Sequence, residues 1–192
     1  MKKVSFILVA LIAALTLSSC QSNNKNSTKT EQEQTVTALS VDELLSEAES
    51  LNGTTVSIEG VCTHICSHGA KKIFLMGTDD TKTIRIESDN AFSQDCVNSL
   101  VAVSGKVVEQ RIDEAYLVNW ETQVANDTHE KHGDDEEAAG CASEQQAQNE
   151  TLVNTVEERI ENFRKRIAKE KEQTGKDYLS FYHIVADSYQ VN

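Results

Sequence analysis

Between Thr54 and Val108 the sequence is cut into short runs rich in β-branched residues, with apolar side chains on every second position. Val56 and Ile58, and later Ile84 and Ile86, alternate with polar neighbours, which is the pattern of a strand with one wet face. Such runs are too short for amphipathic helices and too numerous for a single hairpin. They confine the chain to a small β body. The predicted strands are 54–66, 73–76, 83–87, 100–108 and 115–120. Gly77-Thr78-Asp79-Asp80 and Arg111-Ile112-Asp113-Glu114 supply turns. At Gly60 the alternation changes phase, since Val61 and Ile65 carry the apolar pattern afterwards. A glycine at that point predicts a bulge that bends a long first strand. Residues 90–99 are predicted as a short helix. Ahead of the strands, Val41, Leu44, Leu45, Ala48 and Leu51 recur at helical spacing behind Ser40 and Asp42, either of which can cap.

Three strands, a short helix and two further strands resemble the OB-fold, a closed five-stranded Greek-key barrel. The resemblance is topological and covers residues 38–123. It implies a mainly β fold with a long, bent first strand and a helix plugging the barrel between strands three and four. The N-terminal helix and a separate C-terminal one would be additions to it. A five-stranded SH3-like barrel is the competing arrangement.

The first residues carry a different message. Lys2 and Lys3 precede an apolar run, Val4 to Leu17, which has signal-peptide rather than membrane-spanning length. Leu17-Ser18-Ser19-Cys20 resembles a bacterial lipobox. That resemblance implies cleavage after residue 19, a diacylglycerol on the Cys20 thiol and an acyl group such as palmitate on the new amino terminus. The anchor would be stable, because each buried methylene contributes about 0.8 kcal/mol. Gln21 in place of aspartate at the second position favours, by the same resemblance, the outer over the inner membrane. With residues 1–19 removed, Lys and Arg fall from 18 to 16 against 31 acids, a charge of −15. Such a surface repels phosphates, and nucleic acid is excluded as an expected partner.

Residues 20–37 are polar and read as a disordered tether. Residues 124–150, with Asp134-Asp135-Glu136-Glu137, read as an acidic disordered linker. In 151–192, Leu152, Val156, Ile160, Phe163 and Ile167 form one apolar stripe on a helix. The stripe has to dock on the barrel, on a second copy in coiled-coil fashion, or on a protein partner. The aromatic tail Tyr178–Val185 is β-prone and either adds a strand or covers the barrel mouth.

Candidate chemistry gathers in one segment. Cys62, His64, Cys66 and His68 alternate, so on a strand they share a face. If the phase changes at Gly60, that face points away from the core. Thiolate and imidazole suit zinc or another transition metal, and a tetrahedral site needs four ligands close together. Cys62 and Cys66 are about 13 Å apart at Cα on a straight strand, too far to share one ion. Cys96 and Cys141 are the candidates to complete a site. The alternative keeps these cysteines in structural disulfides, consistent with an exported chain and an even count. His129 and His132 form a second, looser cluster. The membrane-tethered OB-fold haem chaperones are similar in outline, but the motif around His129 and His132 does not match theirs. No hydrolase, metalloprotease or phosphate-loop motif occurs. The expectation is a lipid-anchored envelope binding module, holding a metal at the first strand or, alternatively, a protein or saccharide.

Overall fold

The structure is a computed structural model, and it describes residues 38–67, 69–126 and 139–192. Cys20, the tether, His68, His129 and His132 lie outside the described residues.

Ser40 opens the fold. It caps helix α1 (Val41–Leu51) in a reciprocal box with Glu43: the Glu43 N–H donates to Ser40 Oγ at 3.2 Å, and the Ser40 N–H donates to Glu43 Oε2 at 2.8 Å. Strand β1 is the two residues Leu39–Ser40, parallel to β2 (Thr55–Ile65). Then come β3 (Lys72–Met76), β4 (Thr83–Glu87), β5 (Leu100–Asp113), α2 (Glu114–Ala125), α3 (Ala142–Ala147), α4 (Val156–Thr174) and β6 (Tyr178–Val191). The sheet order is β1-β2-β3-β4-β6-β5, and β2 also pairs with β5. That last pairing closes a mixed barrel of five strands, β2 to β6, with β1 as an extra strand. All neighbours around the barrel are antiparallel except β4 and β6.

Two segments differ from the sequence reading. The fifth barrel strand is not 115–120 but the C-terminal tail, paired along β5 from Val101–Val191 to Asp113–Tyr178. Residues 115–120 belong to α2. The Asp113 carboxylate accepts the Tyr116 N–H at 2.8 Å and starts that helix, and Leu117 is fully buried in a second apolar cluster. A capped start and a docked leucine outweigh the weak strand pattern. The helix expected over 90–99 is a single 3₁₀ turn, Gln94–Cys96.

Gly60 does not carry a bulge. It pairs in register with Val101, and the register shift in β2 falls between Cys62 and His64. Glycine is required at 60 because α1 crosses here: a Cβ would lie 2.8 Å from Val41 Cγ2. At Gly105 the β5–β6 ladder does shift, and a Cβ would come within 2.4 Å of the Val185 carbonyl oxygen.

The core has two parts. Inside the barrel Ile58, Ile73, Leu75, Ile84, Ile86 and Val101 pack together with Val41 and Leu44 of α1. Outside it, Ile112 and Leu117 meet Val156, Ile160, Phe163 and Ile167 of α4. The apolar stripe of α4 is thus occupied within the chain, by α2 and the end of β5. Residues 139–150, expected to be disordered, are folded. Glu144, Gln145 and Gln148 are buried, and Gln145 bonds the Val153 backbone in both directions (2.9 and 3.0 Å). Among the described residues no helix is long and apolar enough to cross a membrane.

Candidate functional site

The first-strand cysteines do not share an outward face. Before the register shift Ile58, Gly60 and Cys62 point inward, and Val61 is exposed. The shift after Cys62 then turns Ile65 inward. Cys62 is therefore a core residue, sealed with Cys96 in the aliphatic barrel cluster, while Cys66 is buried at the strand's end. His64 is half-buried, its ring 5.8 Å from that of Phe74. Burial, followed by weaker repulsion from Cys96, pushes the Cys62 thiol up to about 11. Burial also raises the Cys96 and Cys141 thiols. A protonated thiol is a poor metal ligand and a poor nucleophile. Among the described residues no group of three or more His, Cys, Asp or Glu side chains could hold a metal ion. Cys62 and Cys96 share one buried cluster, all four described cysteines are free thiols, and among the described residues no four-ligand cage is assembled.

A polar cleft lies elsewhere, where β3, β4 and β5 meet α2, α3 and α4. It has a volume of about 240 Å³. Arg85 forms its floor. In the sequence this residue reads as the wet face of the third strand, yet it is only 9% exposed because α3 covers that face. Its guanidinium pairs with Glu144 of α3, donates to Gln110 Oε1 at 2.7 Å and lies 3.1 Å from Glu87. Arg159 of α4 forms a wall. Its Nη2 donates to Glu150 (2.7 Å) and Gln148 (2.8 Å), its Nη1 donates to the Ala139 carbonyl (2.7 Å), and it lies over the Trp120 ring at 5.3 Å. Burial pushes the Glu150 carboxyl up, and the bonds from Arg159 pull it back. These arginines are held by their own carboxylates, so the cleft does not present an uncompensated cationic patch.

Lys72 also lines the cleft, and the remaining polar groups are neutral. Tyr116 and Asn119 project from one side of α2, with Trp120 half-buried beside them. The Tyr116 oxygen accepts a bond from Gln110 Nε2 at 3.2 Å and keeps its own proton to donate, since burial raises that phenol. The Tyr116 and Trp120 rings meet edge to face at 6.3 Å. The sequence pattern puts Trp120 at the end of a strand over 115–120 and does not connect it to Arg85 or Glu144. The signal available was the arginine inside TIRIE, a charged residue amid β-branched neighbours.

His183 sits next to this cleft on β6. It is 8% exposed, with Nε2 3.6 Å from Glu87, and burial, reinforced by Arg85, lowers its pKa. It is packed, and Nδ1 has no partner among the described residues.

No family model and no curated protein matches this chain. Among solved structures it is similar to a "putative aspartyl-tRNA synthetase" from Leishmania major Friedlin, at 18% identity and a TM-score of 0.28. That alignment covers 45% of this chain and 18% of the other. A likeness at that level carries no argument about fold or activity.

Proposed function

We propose that this chain is a lipid-anchored cell-envelope binding module, an OB-type barrel that takes a neutral saccharide in the cleft between the barrel and α2. Several lines support this. The strand circuit, with its parallel pairing of β4 and β6, suits the OB arrangement better than the SH3-like one. The lipobox-like Leu17–Cys20 would tether the domain, with the outer membrane favoured. The cleft carries the reading: paired arginines set their charge against Glu144 and Glu150, and beside them lie Lys72, amides, the Tyr116 phenol and the Trp120 indole. Sugar hydroxyls bond to such amides, and their apolar C–H faces pack on rings. A phosphate or carboxylate ligand would need a cation not already neutralised.

The metal reading has one observation in its favour, the adjacency of Cys62 and Cys96. Two buried, protonated thiols fall short of the four ligands of a zinc site.

The test uses a feature of the composition: Trp120 is the chain's only tryptophan. Titration of the mature protein with chitotetraose, a neutral oligosaccharide, should change Trp120 fluorescence saturably. Asn119→Ala should weaken binding by about tenfold, the loss of roughly one good hydrogen bond at 1.4 kcal/mol per decade. A flat titration across neutral oligosaccharides, with zinc retained through dialysis, would replace this reading with the metal one.

A further inference from the structure

We propose that the four cysteines of the mature chain form two disulfides, Cys62 to Cys96 inside the barrel and Cys66 to Cys141 at the rim of the cleft. The proposal deepens the reading of an exported module, in which oxidising surroundings permit such bonds.

The first pair is brought together by the backbone. The Cys62 N–H donates to the Ser99 carbonyl at 3.0 Å, and the Asn98 N–H donates to the Cys62 carbonyl at 2.7 Å. The 3₁₀ turn Gln94–Cys96 runs directly into those two residues, and the Ser99 N–H donates to the Cys96 carbonyl at 3.0 Å. This clamp lays the Cys96 turn against Cys62, and both side chains are fully buried in one cluster. The second pair is set by the turn after β2. The Cys66 N–H donates to the Lys72 carbonyl at 2.9 Å, so Cys66 lies beside the start of β3. Lys72 and Gly140 line the same cleft, and Cys141 follows Gly140 as the residue preceding α3, which packs on β3 and β4. Other pairings are disfavoured by distance. Cys62 lies in β2 and Cys66 directly follows its last residue, about 13 Å away if the chain is extended, whereas bridged Cα atoms are within about 7 Å. Cys96 is buried in the barrel cluster, whereas Cys141 precedes α3 and is not part of that cluster.

Each bond forms by exchange with an oxidant of the dithiol–disulfide oxidase class. One sulfur–sulfur bond is made in this chain and one is broken in the oxidant, which leaves with two electrons and two protons as a dithiol. The inner bond has to form before the barrel closes around it. The outer bond fastens residues 140–148, one wall of the cleft, to the barrel. It gives a structural role to the segment that follows the acidic stretch.

The test is mass spectrometry of the full chain carrying Cys20→Ser, refolded from the reduced, denatured state in a glutathione redox buffer, and, separately, of the lipidated protein isolated after export with thiols trapped. The expected product has lost the mass of four hydrogens and takes up no alkylating agent. No lysine or arginine separates residue 62 from residue 66, so tryptic peptides alone do not resolve the pairs. The double variant Cys66→Ala/Cys141→Ala should lose two hydrogens through Cys62–Cys96. Cys62→Ala/Cys141→Ala, which leaves Cys66 and Cys96, should lose none. Should a variant fail to fold, backbone fragmentation between residues 63 and 65 in the unsubstituted protein assigns the partners. Four alkylatable thiols in the refolded protein, or any other pairing, overturns the proposal. Correct pairing on refolding with reduced thiols in the cell supports the pairing and overturns export instead.

Discussion

The barrel interior and its helical flank solve the same problem with different chemistry. Inside the barrel almost every buried side chain is aliphatic, with the sulfurs of Cys62 and Cys96 enclosed among them. On the flank, Phe163, Trp120 and Phe181 pack among Arg159 and Arg166, and burial lowers the pKa of Arg166. A purely apolar packing gives stability without specificity. A flank built from buried ion pairs is costly to assemble, and its hydrogen-bonding groups converge on the cleft at its edge. On the proposed reading, structural weight lies in the barrel interior and recognition on the flank.

The sharpest way to break this comparison is to strand a buried charge. Arg159→Ala leaves Glu150 without its partner and should cost about 3–5 kcal/mol in chemical denaturation. The joint change Arg159→Met/Glu150→Leu should cost far less while abolishing the shape of the cleft wall. Equal losses in the two proteins would mean that the pair acts through packing alone. The barrel is tested by Gly105→Ala, whose added methyl meets the β6 backbone. About 1–3 kcal/mol should be lost, with the fold otherwise retained. Ser40→Ala removes one half of the α1 capping box and should cost about 1 kcal/mol, without effect on the cleft. The smallest expected effect is a pH dependence at the boundary of the two regions. Burial and Arg85 lower the folded-state pKa of His183, with Lys72 adding to them and Glu87 and Glu144 opposing. The unfolded chain therefore binds the proton more readily. Stability from this group is complete above the ordinary histidine pKa of about 6.5 and falls as the pH drops through and below it. His183→Gln should flatten the midpoint-versus-pH curve in that window. An unchanged slope would place the titration elsewhere.

The comparison also explains what could be read in advance. Strands 73–76, 83–87 and 100–108 were legible because short β-prone runs are bounded there by turn residues, with Ile84 and Ile86 inward as their spacing implies. The Cys62–His68 alternation misled because one register shift, invisible in residue identities, reverses the inward face after Cys62. The α2 segment carries a mixed pattern, and its helix was decided by the Asp113 cap and by Leu117 docking under α4. The cleft was hidden for a further reason. Arg85 and Glu144 are 59 residues apart, and the second lies in a stretch whose polarity resembled disorder. Polarity spent on burying a partner's charge looks, in sequence, the same as polarity facing water.

One titration tests the central claim that recognition sits on the flank and not on the first strand. Backbone amide resonances of the mature protein can be followed by NMR as chitotetraose is added, and then, in a fresh sample, as zinc is added. Saturable shifts are expected under the saccharide, centred on Gln110 and residues 116–123, and under zinc no ordered response at Cys62, His64, Cys66 or Cys96. A zinc response at those four positions, with the α2 amides silent to the saccharide, would contradict it.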